Sequence, residues 1–211
     1  MFYKGKKVRG LGSHNSDFFG FGDMIRAELS SRIESSTGLR VLDVGTGFAV
    51  TAEFLSKTLS SASIWTLDPS ASVLGKARAT LKSKGLASRM EFVQGSIDHT
   101  RFPDGLFDLV VSVMALHHLK DLDIAVAEMG RITGESGQIL LVDYTPRAAH
   151  DLDFRVEHRE EDFFSARRVS VALQREGFET QASLFGLWYI VDAHRGRPSR
   201  TPAKGQHSSS S

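Results

Sequence analysis

The stretch from residue 38 to residue 57, GLRVLDVGTGFAVTAEFLSK, limits what this chain can fold into more than any other. Arg40–Val44 is an apolar run typical of a buried strand, and the residues after the turn are apolar at helical spacing. The turn between them, Gly45-Thr46-Gly47, removes side chains where a ligand must approach the backbone, and a helix begins with unpaired amide donors. The pattern predicts a nucleotide-binding cradle at the carboxyl end of a parallel strand.

The strand and helix patterns that follow this stretch alternate. We predict strands over residues 63–67, 90–94, 107–113 and 138–143, with Gly134 and Gly137 marking the turn into the last of these. Helices are predicted between them over residues 71–83 and 121–132, the second of these capped by Asp121. Such alternation favours a doubly wound α/β sheet with right-handed crossovers.

The last pair of predicted strands departs from this alternation. Ser165 can cap a helix over residues 166–176, and strands then follow over residues 178–183 and 184–193. The link between these strands is too short for a crossover helix, so the pair must be antiparallel. The sequence therefore predicts a mostly parallel sheet that ends in an antiparallel hairpin.

A further helix is predicted ahead of the cradle, over residues 16–36, with Ser16 or Asp17 as its N-cap. Its apolar residues recur at spacings of three and four, as expected for a helix that covers the sheet. Its start holds Phe18, Phe19 and Phe21 between glycines. We expect these rings to pack in the core, with a mobile lid over a pocket as the alternative.

Composition predicts a single globular domain of 211 residues, with 41% hydrophobic and 24% charged residues. The absence of cysteine excludes disulfides, cysteine-bound metal and a thiol nucleophile, and it fits a reducing compartment. No apolar run approaches roughly 18 residues, and no apolar core follows the charged first ten residues. We therefore expect a cytoplasmic protein without a membrane span or secretory signal.

The formal net charge of +1 conceals two basic ends. Residues 1–10 and 195–211 each hold four lysines or arginines and no acid, which leaves 18 basic against 25 acidic residues between them. We predict a basic segment over residues 1–15, one domain over 16–194 and a disordered tail over 195–211. Solvated ends are the expected state and contact with nucleic acid such as RNA is the alternative. The sequence does not indicate an oligomeric state.

Two acids and one missing glycine define the ligand that the cradle would accept. Asp68, followed by Pro69, ends the second strand about 20 residues beyond the turn, where a carboxylate can bind ribose hydroxyls. Asp43 lies two residues before the first glycine, which suits a cationic ligand better than a diphosphate. Val50 stands where a dinucleotide fold has its third glycine. A nicotinamide-dependent oxidoreductase is therefore the weaker alternative.

These motifs resemble those of the class I S-adenosylmethionine-dependent methyltransferases, in particular the ubiquinone/menaquinone-biosynthesis-like group that acts on small molecules. The opening acid-x-Gly-x-Gly-x-Gly motif is matched over residues 43–49, with Ala49 at the last glycine, and further similarity lies in residues 94–108, 115–119 and 177–179. The resemblance implies a seven-stranded sheet of order 3-2-1-4-5-7-6, its last strand antiparallel, with helices on both faces. It also implies S-adenosylmethionine as cofactor and a small-molecule acceptor of unspecified kind.

The resemblance also implies which residues contact the cofactor. Gly45 and Gly47 would lie against its methionine part, and Asp43 would hold its amino end. Asp68 would bind the ribose and Ile97 the adenine face. The full set of implied cofactor-binding residues is Asp43, Gly45, Thr46, Gly47, Asp68, Pro69, Ser96, Ile97 and Ser112. Ser96 stands where the family often has an acid, so its contact to adenine differs here, and Ser112 would line the floor through its main chain.

Methyl transfer from a sulfonium needs mainly positioning of the nucleophile, so a base is optional. His117, near the end of the fourth strand, is the candidate base, with packing or positioning of a loop as the alternative role. Tyr144, after the fifth strand, is the second catalytic candidate and could line the same pocket. Neighbouring His117 and His118 would point ~100° apart on a helix, so no metal site is expected. A methyltransferase-like module that binds the cofactor without catalysis and serves a partner is the alternative function.

Overall fold

The computed structural model describes residues 2–3, 6–7, 16–33, 37–150 and 163–195, with side chains described over 22–33, 37–148 and 163–195. The main sheet has seven strands. In chain order they are β1 Arg40–Val44, β2 Ser63–Asp68, β3 Met90–Gln94, β4 Phe107–Val113, β5 Thr133–Tyr144, β6 Phe178–Phe185 and β7 Trp188–Arg195.

The order of the strands across the sheet is β3-β2-β1-β4-β5-β7-β6, which confirms the predicted topology. Strands β1 to β5 pair in parallel, while β7 is antiparallel to both β5 and β6. The hairpin turn between β6 and β7 is only Gly186-Leu187, which leaves no room for a crossover. Because β1 pairs in parallel with both β2 and β4, the carboxyl ends of these three strands meet at one edge of the sheet.

Helices cover both faces of this sheet, also as predicted. They are α1 Ser16–Arg32, α2 Val50–Thr58, α3 Ala71–Ser83, α4 Leu122–Ile132 and α5 Ala166–Arg175. Helices α1, α2 and α3 share one buried apolar cluster, and α4 and α5 share the other. Successive residues of β1 point into the two clusters, Val41 into the first and Leu42 into the second, as the strand's alternation requires.

Side-chain caps start α4 and α5 as the sequence predicts. Asp121 accepts hydrogen bonds from the amides of Asp123 at 2.9 Å and Ile124 at 3.2 Å. Ser165 accepts one from the amide of Arg168 at 3.2 Å. These bonds pair amide donors that a helix start otherwise leaves without partners.

The predicted start of the fifth strand is wrong. β5 begins at Thr133, directly after α4, and not at Gln138. Its pairing with β4 is irregular there, since Thr133 pairs with Phe107 and Gln138 already pairs with Leu109. Gly134 and Gly137 therefore lie within a bulge of the strand. A Cβ at Gly137 would lie 2.5 Å from the Thr133 side chain, so the bulge admits only glycine there.

Other boundaries also shift. Helix α1 ends at Arg32, short of the predicted residue 36, and residues 34–36 lie outside the described part. Phe2–Tyr3 and Lys6–Lys7 form a short antiparallel pair in the predicted basic segment. The tail beyond residue 195 and the side chains of Phe18, Phe19 and Phe21 also lie outside the described residues. Within those residues, every helix is too short or too polar to cross a membrane.

Candidate functional site

The predicted cradle is a left-handed turn at the carboxyl end of β1. Gly45, Gly47 and Ala49 all have positive φ, at 88°, 47° and 63°. The amides of Gly45 and Thr46 both donate to the carbonyl of Leu67, at 2.9 and 3.2 Å, and so join the turn to the end of β2. Ala49 takes, at a cost of about 1 kcal/mol, a conformation that suits glycine, which is the residue that the resembling motif has at this position.

The two glycines leave different space above the turn. A Cβ at Gly45 would lie 2.6 Å from the Cβ of Ala115, so packing between the β1 and β4 loops requires glycine there. At Gly47 the nearest heavy atom to such a Cβ is a backbone oxygen at 3.9 Å. Gly47 is therefore the position where bare backbone is open to a ligand, and Gly45 is the position where the loops touch.

Asp43, on β1 just below the turn, is fully buried. Its Oδ2 accepts a 2.8 Å hydrogen bond from the hydroxyl of Thr66, but its Oδ1 has no hydrogen-bond partner. Burial raises its pKa to about 7, the Thr66 bond works against that rise, and the nearby charge of Asp68 adds to it. A buried carboxylate oxygen without a partner is costly, so this site favours a ligand that brings a hydrogen-bond donor or a positive charge.

Asp68, at the end of β2, lies on the other side of the same turn. Its Oδ2 accepts from the amide of Gly47 at 3.3 Å, and its Oδ1 accepts from the amide of Ser70 at 2.9 Å. Those bonds orient the partly exposed carboxylate at the rim of the turn. The structure thus places both predicted acids around one glycine turn, close enough for the charge of Asp68 to act on Asp43.

The remaining predicted cofactor residues lie at the same edge in different settings. Ile97 is buried and Ser96 is exposed, both after β3, where the amide of Gly95 donates to the carbonyl of Asp68 at 3.2 Å. Pro69 is exposed. Ser112 is buried at the end of β4 and donates its hydroxyl to the carbonyl of Val44 at 3.2 Å.

The turn after β4 contains an interaction that sequence reasoning missed. His117, on a short 3₁₀ turn, is buried, and its Nδ1 lies 2.7 Å from Oδ1 of the buried Asp143 at the end of β5. The His117 amide also donates to Asp143 Oδ2 at 3.1 Å. A carboxylate only accepts, so Nδ1 carries the hydrogen and Nε2 carries the lone pair of the neutral ring. The sequence feature that could have revealed this pair is Asp143, an acid near the end of β5, the strand next to β4.

Tyr144, the second predicted catalytic residue, follows Asp143 directly. Burial raises the pKa of its phenol well above the ordinary value, and the charge of Asp143 raises it further. Its ring lies 5.8 Å from that of His117 and 6.3 Å from that of Phe163. Tyr144 is thus a neutral phenol in an aromatic wall, which does not suit it to act as a base.

The arrangement of the two neighbouring histidines also differs from the expected one. His117 and His118 lie on a 3₁₀ turn with ring centroids 4.2 Å apart, and not on an α-helix. Among the side chains that the structure describes, no three His, Asp or Glu residues are grouped in a way that could hold a metal ion.

Comparison with known proteins supports the resemblance that the sequence predicts. Residues 42–141 match the family described as "Methyltransferase domain". The ubiquinone/menaquinone biosynthesis C-methyltransferase of Shewanella piezotolerans is 28% identical over 116 residues, which is 54% of this chain and 46% of that protein. The methyltransferase GfsG of Streptomyces halstedii is 28% identical over 130 residues, 62% of this chain and 46% of that protein.

These matches confirm the predicted resemblance to the class I S-adenosylmethionine-dependent methyltransferases of the ubiquinone/menaquinone-biosynthesis-like group. The chain spans about half the length of these two curated relatives. The cofactor of the class is S-adenosylmethionine, and its reaction is transfer of the methyl group.

Solved structures show the same fold. A methyltransferase from Aquifex aeolicus, described as S-adenosylmethionine-dependent, superposes with a TM-score of 0.69 at 19% identity, covering 80% of this chain and 88% of the other chain. The [4+2]-cyclase SpnF superposes with a TM-score of 0.72 at 17% identity, covering 82% of this chain and 80% of the cyclase chain. One of these neighbours is described as a cyclase, so the fold alone does not decide the reaction.

Proposed function

We propose that this chain is a methyltransferase that binds S-adenosylmethionine across the Gly45–Gly47 turn and transfers its methyl group to a small-molecule acceptor. The observation that carries the proposal is the buried carboxylate of Asp43, whose Oδ1 has no partner beside the turn. The α-ammonium group of the cofactor supplies both the donor and the positive charge that this oxygen lacks.

The other residues of the site fit the rest of the cofactor. Asp68 is anchored by two backbone amides and has its carboxylate partly exposed at the rim, where it would accept hydrogen bonds from ribose hydroxyls. Gly47 leaves the backbone open for the methionine part, and Ile97 supplies an apolar contact for adenine. Thr46, Pro69, Ser96 and Ser112 complete the proposed cofactor-binding set around the same edge.

The proposed reaction is an in-line displacement. The cofactor supplies a methyl group on a positively charged sulfur, which is already activated for attack. The protein's task is therefore to orient the acceptor and exclude water. His117 would take a proton from the attacking group through Nε2, while Asp143 holds the ring tautomer through Nδ1 and stabilises the imidazolium that forms.

The acceptor side of the site favours a small, partly apolar molecule. The rings of Tyr144 and Phe163 lie 5.8 and 5.4 Å from that of His117. Both belong to one buried apolar cluster with Trp188, whose ring stacks 4.2 Å from that of Phe185. Such walls bind apolar or aromatic groups, and among the described residues the His117–Asp143 pair is a polar feature beside them. The methyltransferase relatives named for ubiquinone and menaquinone biosynthesis support a small-molecule acceptor.

The test is release of S-adenosylhomocysteine from S-adenosylmethionine with a panel of phenols, aliphatic alcohols, amines and enolisable carbonyl compounds. We expect turnover with at least one hydroxyl or carbon acid, lowered at least about 100-fold in His117→Asn. Asparagine retains a donor toward Asp143 but lacks the basic nitrogen. Cofactor binding without turnover on the whole panel would overturn catalysis in favour of the non-catalytic module.

A further inference from the structure

A chain of hydroxyl groups lies behind Asp43. The hydroxyl of Thr66 on β2 donates to Asp43 Oδ2 at 2.8 Å, and the hydroxyl of Thr46 in the glycine turn lies 2.6 Å from that of Thr66. Asp43 and Thr66 are completely buried and Thr46 is 3% exposed. These contacts join the turn, β2 and β1 through three side chains.

The direction of this chain follows from proton counting. A threonine hydroxyl has one hydrogen, and that of Thr66 is used toward Asp43. Between the two hydroxyls, Thr46 must then donate and Thr66 accept. Thr46 therefore fixes the rotation of the Thr66 hydroxyl, and Thr66 holds Oδ2 of Asp43 while Oδ1 keeps no partner.

We propose that Thr66, oriented by Thr46, is a positioning residue that presents one oxygen of Asp43 to the cofactor and makes cofactor affinity depend on pH. The inference rests on the proposed function, because it concerns how the same site holds S-adenosylmethionine. It adds Thr66 on β2 to the machinery that binds the cofactor's ammonium group, and it gives Thr46, already in the proposed cofactor-binding set, a role in orienting Thr66.

The groups that face Asp43 determine whether cofactor affinity rises or falls with pH. From β2 these are Thr66 and the carboxylate of Asp68, and from the turn it is Thr46. From β4, the residue paired with Asp43 is the apolar Val111. The neighbouring Ser112 hydroxyl donates to the carbonyl of Val44 and not to Asp43. Burial and Asp68 both raise the pKa of Asp43, to about 7, and only the Thr66 bond lowers it. Cofactor affinity should therefore rise as the pH passes through 7, and loss of the Thr66 donor should move that rise to higher pH.

The experiment is calorimetric titration of the full chain with S-adenosylmethionine and S-adenosylhomocysteine from pH 6 to pH 9. Thr66→Val keeps the shape of the side chain and removes its donor. We expect it to weaken affinity about 10-fold at pH 7, the effect of one bond to a charged group, and much less at pH 9. Thr66→Ser, which restores the hydroxyl, should return the wild-type pH profile, and Thr46→Val should give an intermediate one.

A second measurement needs no cofactor. Carboxyl ¹³C chemical shifts report the titration of Asp43 in the apo protein, and Thr66→Val should raise its pKa while Thr66→Ser should not. Thr66→Ala serves in both measurements if the valine variant does not fold. Equal pH profiles for the wild type and the valine or alanine variant would overturn the inference and leave the proposed function intact. Failure of the wild type to bind either ligand at any pH would overturn the proposed function itself.

Discussion

At the scale of single residues, Asp43 is placed for binding at the expense of stability. A carboxylate that is completely buried, with one oxygen lacking a partner, destabilises the folded apo protein once it is ionised. Its pKa rises from 3.8 to about 7 on folding. A raised acid pKa stabilises the fold at low pH, and that contribution is lost as the pH rises toward and through the folded pKa.

Asp43→Asn should therefore make the apo protein more stable than the wild type at pH 8, by on the order of 2 kcal/mol, because it removes the buried charge. At pH 3 the wild-type carboxyl is mostly protonated in both the folded and the unfolded protein, so the difference should nearly vanish. Denaturant unfolding of both proteins at the two pH values measures this. If Asp43→Asn were less stable than the wild type at pH 8, the buried, ionised carboxylate would not be destabilising the folded apo protein.

The two turn glycines give a second prediction. Gly45→Ala places a methyl group 2.6 Å from the Cβ of Ala115 and demands a positive φ, whereas Gly47→Ala meets only the φ penalty. We expect Gly45→Ala to cost at least about 3 kcal/mol of unfolding free energy and Gly47→Ala about 1 kcal/mol. Adding Ala115→Gly should restore part of the Gly45→Ala loss. Equal costs for the two single variants in denaturant unfolding would contradict the assignment of Gly45 to loop packing.

At the scale of elements, helix α4 holds the loop that follows β3. Glu128 on α4 accepts from the amide of Thr100 at 2.8 Å and from its hydroxyl, and Arg131 donates to both Glu128 oxygens. Bonding to Arg131 and Thr100 lowers the pKa of Glu128 to about 2. A lowered acid pKa stabilises the fold above the unfolded value of 4.5, and this is lost as the pH falls toward 2. The anchored loop carries Ile97.

Glu128→Gln should loosen this loop because it removes the charge that Arg131 and Thr100 bind. We expect faster amide hydrogen exchange over residues 96–104 and cofactor affinity lower by about 3-fold to 10-fold at neutral pH. Asp104→Asn, an exposed partner of Arg131, is the matched control and should change neither. Exchange rates in this loop that stay at the wild-type value would show that α4 does not hold it.

The elements differ in how well the sequence predicted them. The bounds of α3, β3 and β4 agree with prediction to the residue, because glycine or polar turns flank each periodic or apolar run. The start of β5 was missed because the strand passes through a bulge whose glycines look like a turn. Asp143 was missed as the partner of His117 because their contact depends on the pairing of β4 with β5 and not on spacing along the chain.

At the scale of the whole molecule, the site is the product of strand order. β1 lies between β2 and β4, so the ends of these three strands bring together Asp43, Asp68 and Ser112 from distant parts of the chain. β5 lies next to β4 and adds Asp143 behind His117. Crossovers that leave the centre of the sheet in opposite directions open a crevice at this edge, where doubly wound folds bind their ligands.

Calorimetric titration of the full chain with S-adenosylhomocysteine tests this account most directly. We expect 1:1 binding, weakened at least about 10-fold by Asp43→Asn and by Asp68→Asn, with no heat from NAD under the same conditions. Binding that neither substitution changes, or binding of NAD in place of S-adenosylhomocysteine, would contradict the claim that these two carboxylates hold one cofactor across the glycine turn.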